Sequence, residues 1–431
     1  MVEARTGAAE LPLRDYWPRR YTTIGLCFCA TFICYIDRVN ISVAVIPMAE
    51  QFGWDQTIRG LVLSSFFIGY LATQVLGGFL ADRFGGKIVL GIGVLLWSAF
   101  TLVTPPAAMF GLTMLILARI GMGLGEGVAF PAIYTMFARW VPTKERTRAI
   151  GLNFSGIPLG TIAALLLTPV IVARMGWEWA FYLFGILGFI WYGFWHFAVS
   201  RSPETHPTIS PRELAHIQAD LGAPPEPVSI PWRRLLSKAP IWAIIINHFC
   251  VNWGNYVILS WLPTYVVQEL DVDIASVGLY TVVPFMASFV FINVAGWVAD
   301  RLLQTSLSIT AVRKIMQTVG CAGPALFLVL IGSVTTAEGA IALMAGVMGL
   351  AAFAMGGFGV NHLDVAPRYA GVLMGISNTA GTLPGIIGVI ATGFILDATG
   401  SWAIVFGTAA GVYLFGLAVW LLFATGEKVI E

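Results

Sequence analysis

The chain has 431 residues, 58% of them hydrophobic and only 11% charged, where an ordinary soluble domain carries about 25% charged residues. A net charge of +1 leaves no basic face for nucleic acid. All five cysteines (Cys27, Cys29, Cys34, Cys250 and Cys321) fall in apolar stretches, which argues against a disulfide framework or a zinc spacing and makes Cys27, Cys29 and Cys34 small packing residues. The composition is that of an all-α polytopic membrane protein, because apolar runs of about 18 residues or more cross a hydrocarbon core about 30 Å thick as helices.

Residues 1–20 read as a cytoplasmic N-terminus, too short and too acidic for a plain transit peptide. The apolar stretch behind them is too long for a signal-peptide core and is expected to stay as the first helix. Six spans follow at 21–48, 57–81, 88–107, 109–138, 147–173 and 179–199. Residues 200–238, rich in proline and charge, read as a cytoplasmic linker. Within it PRELAHIQADL predicts a short amphipathic helix at the membrane surface, with Ser210 as cap and Pro211 in its first turn. Six more spans lie at 239–267, 274–300, 313–333, 339–361, 369–397 and 401–424, leaving 425–431 as a cytoplasmic C-terminus. The two domains are then a bundle at 21–199 and a bundle at 239–424.

Positive residues favour the cytoplasmic side of short loops. Of the 24 lysines and arginines, 20 fall on the side of the termini and linker, and only Arg59 and Arg174 on the other. Arg38 and Arg119 lie inside spans.

GFLADR at 78–83 recurs as GWVADR at 296–301, 218 residues later. Each copy ends the second helix of its half on the same side, so the halves run in the same sense, as parallel repeats do. A two-bundle transporter is the product. Gly77, just before GFLADRFGGK, and Gly78, its first residue, permit close helix contact, while Asp82, Arg83 and Lys87 supply charge at the helix end. With Asp300 and Arg301 of the second copy these are candidate gating residues. The plainer alternative is a topogenic turn anchored by Arg83 and Lys87.

Four charges sit inside the spans: Asp37, Arg38, Arg119 and Glu126. An arginine near the bilayer centre costs at least about 2.5 kcal/mol, so it should line a cavity or meet a partner. The planar fork of Arg38 is suited to a carboxylate or phosphate; a structural pair with a carboxylate of the fourth helix is the alternative. Arg119 and Glu126 are two helical turns apart, about 10 Å along the axis, so they share a face without a direct bond. Asp37 is a candidate partner for Arg119. The apolar setting of Glu126 disfavours its charged form and a neighbouring arginine favours it, a tension that suits a switch.

The motifs YIDRVN at 35–40, SSFFIGYLATQ at 64–74, RIGMGLGEGVAFPA at 119–132, NWGNYVILSWLPTY at 252–265 and NHLDVAPRYAGVLMGISNTAG at 361–381, together with GFLADRFGGK, resemble the major facilitator superfamily. Within it they resemble the anion:cation symporter family, which includes sialin, the vesicular glutamate transporters, bacterial galactonate and hexuronate transporters and plant plastid anion transporters. SLSITAVRKIMQ at 306–317 and the ending LFATGEKVIE are nearest the plastid group. The resemblance implies twelve transmembrane helices in two bundles and a small anionic substrate bound by Arg38. It implies proton coupling through Glu126, with Asp37 a fixed counter-ion for Arg119 or a second acceptor. Tyr35, Tyr70, Ser377 and Asn378 are expected at the substrate, with interhelical packing the plainer reading of Ser377 and Asn378 among their glycines. His362 and Asp364 are gate or structural residues, and His248 a hydrogen-bonded core histidine.

Leu63 and Val251 stand where the vesicular glutamate transporters have a histidine and an arginine, which disfavours glutamate. The expected function is therefore proton-coupled symport of a sugar acid or other monocarboxylate by alternating access. A sodium- or proton-coupled phosphate transporter is the runner-up. A drug or cation exporter would lack Arg38, and an enzyme or sensor would need a nucleophile with its base or a large soluble domain. No cofactor is expected beyond the coupling ion, H+ or Na+. The expected setting is a monomer in a bacterial inner membrane, with a plastid envelope as the alternative.

Overall fold

The computed structural model describes residues 17–220, 230–334 and 336–430. Arg5, Arg14 and most of the N-terminal segment, like linker residues 221–229, lie outside the described residues.

The first half contains α1 (Arg19–Phe52), α2 (Gln56–Phe84), α3 (Gly86–Phe110), α4 (Leu112–Trp140), α5 (Thr143–Met175) and α6 (Trp177–Ala198). The second contains α7 (Ala239–Gln268), α8 (Val277–Leu303), α9 (Ile309–Ile331), α10 (Ala337–Val365), α11 (Ala370–Thr399) and α12 (Trp402–Phe423). No strand occurs among the described residues. Ten of these helices are long and apolar enough to cross a membrane, and α2, which bends by 50° between Gln56–Gln74 and Leu76–Phe84, is an eleventh. The twelfth is α7, whose 30 residues are ample for a bilayer. Its apolar character is diluted by Asn247, His248, Asn252 and Asn255.

Two spans are less regular than the sequence predicts. The stretch expected as one helix at 109–138 is interrupted at Gly127 and Val128, between Leu112–Glu126 and Ala129–Trp140. The span expected at 339–361 runs on to Val365 through a 3-10 turn at Ala352–Met355. Apolar periodicity continues across both breaks, so hydropathy does not report them.

The halves repeat their packing. In the first, α1 packs on α5 and α6, α2 on α4, and α3 on α4 and α6; in the second, α7 packs on α11 and α12, α8 on α10, and α9 on α10 and α12. Each pair recurs six helices later, as the repeated GFLADR and GWVADR motifs lead one to expect. The halves meet through α2 with α11, its counterpart α5 with α8, and α1 with α7. As a result α1 is central, with 83% of its most apolar window buried, against 22% for α8.

Alternation of helix direction puts both termini and the loop between α6 and α7 at one end of the molecule, hereafter the terminal end; the opposite one is the far end. At the terminal end PRELAHIQADL forms the helix Pro211–Asp220, and Ser210 Oγ accepts the Glu213 N–H at 3.1 Å. This helix is fastened to the first bundle. Glu213 accepts from the backbone N–H of Arg19 and Arg20, both at 3.0 Å, and Arg20 also pairs with Glu145, which His216 contacts at 3.0 Å.

Candidate functional site

Close backbone approach in the first bundle places the buried charges. At Gly123 a Cβ would stand 2.1 Å from the Phe66 carbonyl oxygen, so only glycine lets α4 lie this near α2. One turn further along α4, Glu126 meets Cys34 and Arg38 of α1. Gly77, just before the GFLADRFGGK stretch, approaches Val128 closely, a Cβ there standing 3.0 Å from its Cα, whereas Gly78 has nothing within 4 Å and does not form the close contact expected of it.

Arg38 is 6% exposed and Glu126 fully buried. The guanidinium donates to one oxygen of Glu126, from Nε at 3.0 Å and from Nη2 at 2.8 Å. The Cys34 thiol donates to the same Oε2 at 3.1 Å, while Oε1 is buried with no hydrogen-bond partner. Cys34 is thus part of the site and not merely a packing residue. Three rings surround the cation: Tyr35, Phe66 and Tyr70, with the guanidinium carbon 4.6, 4.8 and 4.7 Å from their centroids. Tyr35 also accepts from Nη1 at 3.4 Å. Such rings favour a cation by their quadrupole and exclude water from it.

Phe66 also contacts the second arginine, its ring centroid 5.6 Å from the Arg119 guanidinium carbon. Arg119 donates to the Met122 sulfur at 3.1 Å and leaves Nε without a partner. Asp37 is wholly buried and neither carboxylate oxygen has a hydrogen bond; Trp97 and Arg119 are near it without hydrogen-bond geometry. The direct Asp37–Arg119 pairing expected from the sequence is therefore not formed. Two acids and two bases nonetheless balance the cluster, which limits the cost of burying it.

A void beside Arg38 and Arg119, with room for about one water molecule, is lined also by Ser42, Leu63, Phe67 and Ser260. Phe67 meets Tyr256 of α7, ring centroids 4.7 Å apart, so the second bundle covers the cluster with an aromatic side chain. Tyr256, Phe66, Trp97 and Cys34 are neighbours that sequence reading did not single out. Cys34 lies four residues before Arg38, on the same helix face, but nothing in the sequence marks the carboxylate beside its thiol.

Ser377 is elsewhere. It is fully buried within the second bundle, contacting His362 Nε2 at 2.8 Å and His248 Nδ1 at 3.2 Å, and thereby joins α7, α10 and α11. Asn378 is half-buried beside it and makes no side-chain hydrogen bond among the described residues. The structure thus brings Tyr35 and Tyr70 to Arg38 and leaves Ser377 away from it. Asp364 binds Arg313 through two contacts, at 2.7 and 3.2 Å, tying α10 to α9.

Of the candidate gating residues, Asp82, Arg83, Asp300 and Arg301 are exposed at the terminal end and form no ion pair among the described residues. Arg83 lies over Phe84 and Arg301 over Trp297, and Lys87 donates to the His196 carbonyl at 3.3 Å. Asp300 borders an open cavity of about 370 Å³ that Arg313 and Asp364 also line.

A family model described as Major Facilitator Superfamily matches residues 27–389. The chain belongs to this superfamily. It is 47% identical over 421 residues to an ascorbate transporter, chloroplastic, of Arabidopsis thaliana, covering 97% of this chain and 77% of that one. It is equally 47% identical over 432 residues to sodium-dependent phosphate transport protein 1, chloroplastic, of Arabidopsis thaliana, covering 100% and 84%. With these relatives the chain is a member of the anion:cation symporter family. Among solved structures, that of a D-xylose-proton symporter superposes with a TM-score of 0.74 at 18% identity, covering 95% of this chain and 99% of that one. Family and fold are those of transporters, not enzymes.

Proposed function

We propose that the protein is a proton-coupled symporter of an organic monoanion, a sugar acid or other monocarboxylate, working by alternating access. The observation that carries this reading is that the Arg38 fork is held by Oε2 of Glu126, among the rings of Tyr35, Phe66 and Tyr70, while Oε1 is unpartnered. Two arrangements satisfy Arg38: an ionised Glu126 bound to it, or a neutral Glu126 with a substrate carboxylate in its place. Any other combination leaves a buried charge unpaired, which costs about 3–5 kcal/mol. Proton and anion therefore enter and leave together. Tyr35 and Tyr70 wall the site. Asp37 and Arg119 hold the rest of the cluster neutral.

The reading of a monoanion rests on Arg38 as the one guanidinium paired to a carboxylate inside the cluster. A second reading, a sodium-dependent phosphate transporter, is favoured by the name of one 47% identical relative. It also draws on Asp37, whose unpartnered carboxylate is able to meet a cation. The chloroplastic relatives support a plastid envelope over a bacterial inner membrane. The lysine and arginine census puts the termini on the cytoplasmic side, or its plastid counterpart, the stroma.

The test is uptake by the purified protein in liposomes, with pH and sodium gradients imposed separately and sugar acids, ascorbate and phosphate offered. Accumulation of a monocarboxylate with the pH gradient is expected. Accumulation driven by sodium alone would refute proton coupling.

A further inference from the structure

At the far end the two bundles are joined by a carboxylate. The first N–H groups of α2 have no partner within their own helix, and the protein divides them between two acids. Asp55, just before α2, accepts the Ile58 N–H at 2.7 Å, an ordinary cap supplied by the same chain segment. The N–H groups of Gln56 and Thr57 are taken instead by Asp397 in the last turn of α11, at 2.9 and 2.6 Å, and the Thr57 hydroxyl also donates to Asp397. A further bond across the bundles joins Gln56 to Gln268 of α7 at 3.1 Å. Arg59, 7% exposed, lies close enough to Asp397 for electrostatic attraction. At the terminal end, by contrast, the charged residues of both repeat motifs are exposed and unbridged.

We infer that Asp397 is the latch of the closed far end, completing the N-cap of α2 only while the bundles lean together there. The inference rests on the alternating-access reading given above. When the bundles part, Asp397 and the two N–H groups pass to water, so the latch biases the equilibrium without freezing it. A cap of this kind corresponds to a population shift of roughly tenfold.

The test uses the full chain in nanodiscs without substrate, with spin labels on Phe110→Cys and Ser333→Cys, exposed far-end positions on opposite bundles. Cys29→Ser removes the one native thiol that is not buried. Pulsed electron resonance is expected to show a longer inter-label distance in Asp397→Ala, populated roughly tenfold more than in the parent. Asp397→Asn, which keeps the shape and loses the charge, should shift in the same direction by less and carries the test if the alanine variant does not fold. Asp55→Ala, which removes a cap within one bundle, should leave the distances alone. Unchanged distances in folded Asp397 variants, or an equal shift in Asp55→Ala, overturn the latch. Uptake is assayed separately: lengthened distances without uptake of any offered anion retain the latch and reject the transport reading.

Discussion

Arg38 and Glu126 show how a charge that hydropathy alone forbids becomes useful. The guanidinium spends two donors on one carboxylate oxygen and rests among three aromatic rings, so charge and planarity matter separately. In Arg38→Lys the charge remains, but the fork and the stacked plane are lost. The half-saturation concentration for uptake is expected to rise at least about tenfold, and an unchanged value would remove Arg38 from the anion site. In Glu126→Gln the side chain keeps its size but no longer titrates. Exchange of substrate against substrate should continue while accumulation against a gradient disappears; accumulation at the parent level would remove Glu126 from coupling. Both charges were legible in the sequence because a charge inside a span needs a partner or a cavity. Cys34 was not, since a thiol reads as a small apolar residue until a carboxylate is found beside it. The partners of Ser377, His248 and His362, were not legible either: they are 129 and 15 residues away, and nothing local distinguishes a serine facing histidines from one facing a cavity.

The helices themselves follow from length and apolarity, and their contacts from glycine. Gly123 and Gly78 make a matched pair for testing this. In Gly123→Ala the new methyl would lie 2.1 Å from the Phe66 carbonyl, backbone that cannot rotate aside, so α2 must move off α4. The cost is expected to reach or exceed about 3 kcal/mol, the upper part of the range for overpacking. In Gly78→Ala the methyl meets nothing within 4 Å, and a helix interior gains up to about 1 kcal/mol from the exchange. Thermal unfolding in detergent should therefore fall sharply for the first and hold or rise for the second; equal behaviour would show that α2 and α4 are not held at this distance. Sequence spacing marked Gly78, and not Gly123, as a close helix contact. It also hid the interruption at Gly127 and Val128, because apolar residues continue through it. The linker helix at Pro211–Asp220 was legible from Ser210 and Pro211, yet its attachment to α1 through Glu213 was not, since that pairing closes over nearly 200 residues of chain.

On the scale of the molecule, the repeated GFLADR and GWVADR motifs carried the architecture: two halves in the same sense, with the main packing pairs of the first recurring in the second. What repetition does not reveal is which end of the molecule is shut, because that depends on side chains such as Asp397 that have no equivalent role in the other half. Closure at the far end nevertheless has a symmetric component, with α2 on α11 and α5 on α8. At the second of these contacts Gly278, near the start of α8, faces the chain of α5, and a Cβ there would stand 2.6 Å from the Leu165 carbonyl oxygen. A larger side chain must wedge the bundles apart without touching the buried charges. Gly278→Leu is accordingly expected to retain equilibrium binding of the transported anion and to lose uptake, because one of the two states needed for a cycle is no longer reachable. Gly278→Ala should fall between it and the parent. Uptake at the parent rate in Gly278→Leu would mean that the far end does not have to close along α5 and α8, and that the rocking of one half against the other is not the motion that carries substrate.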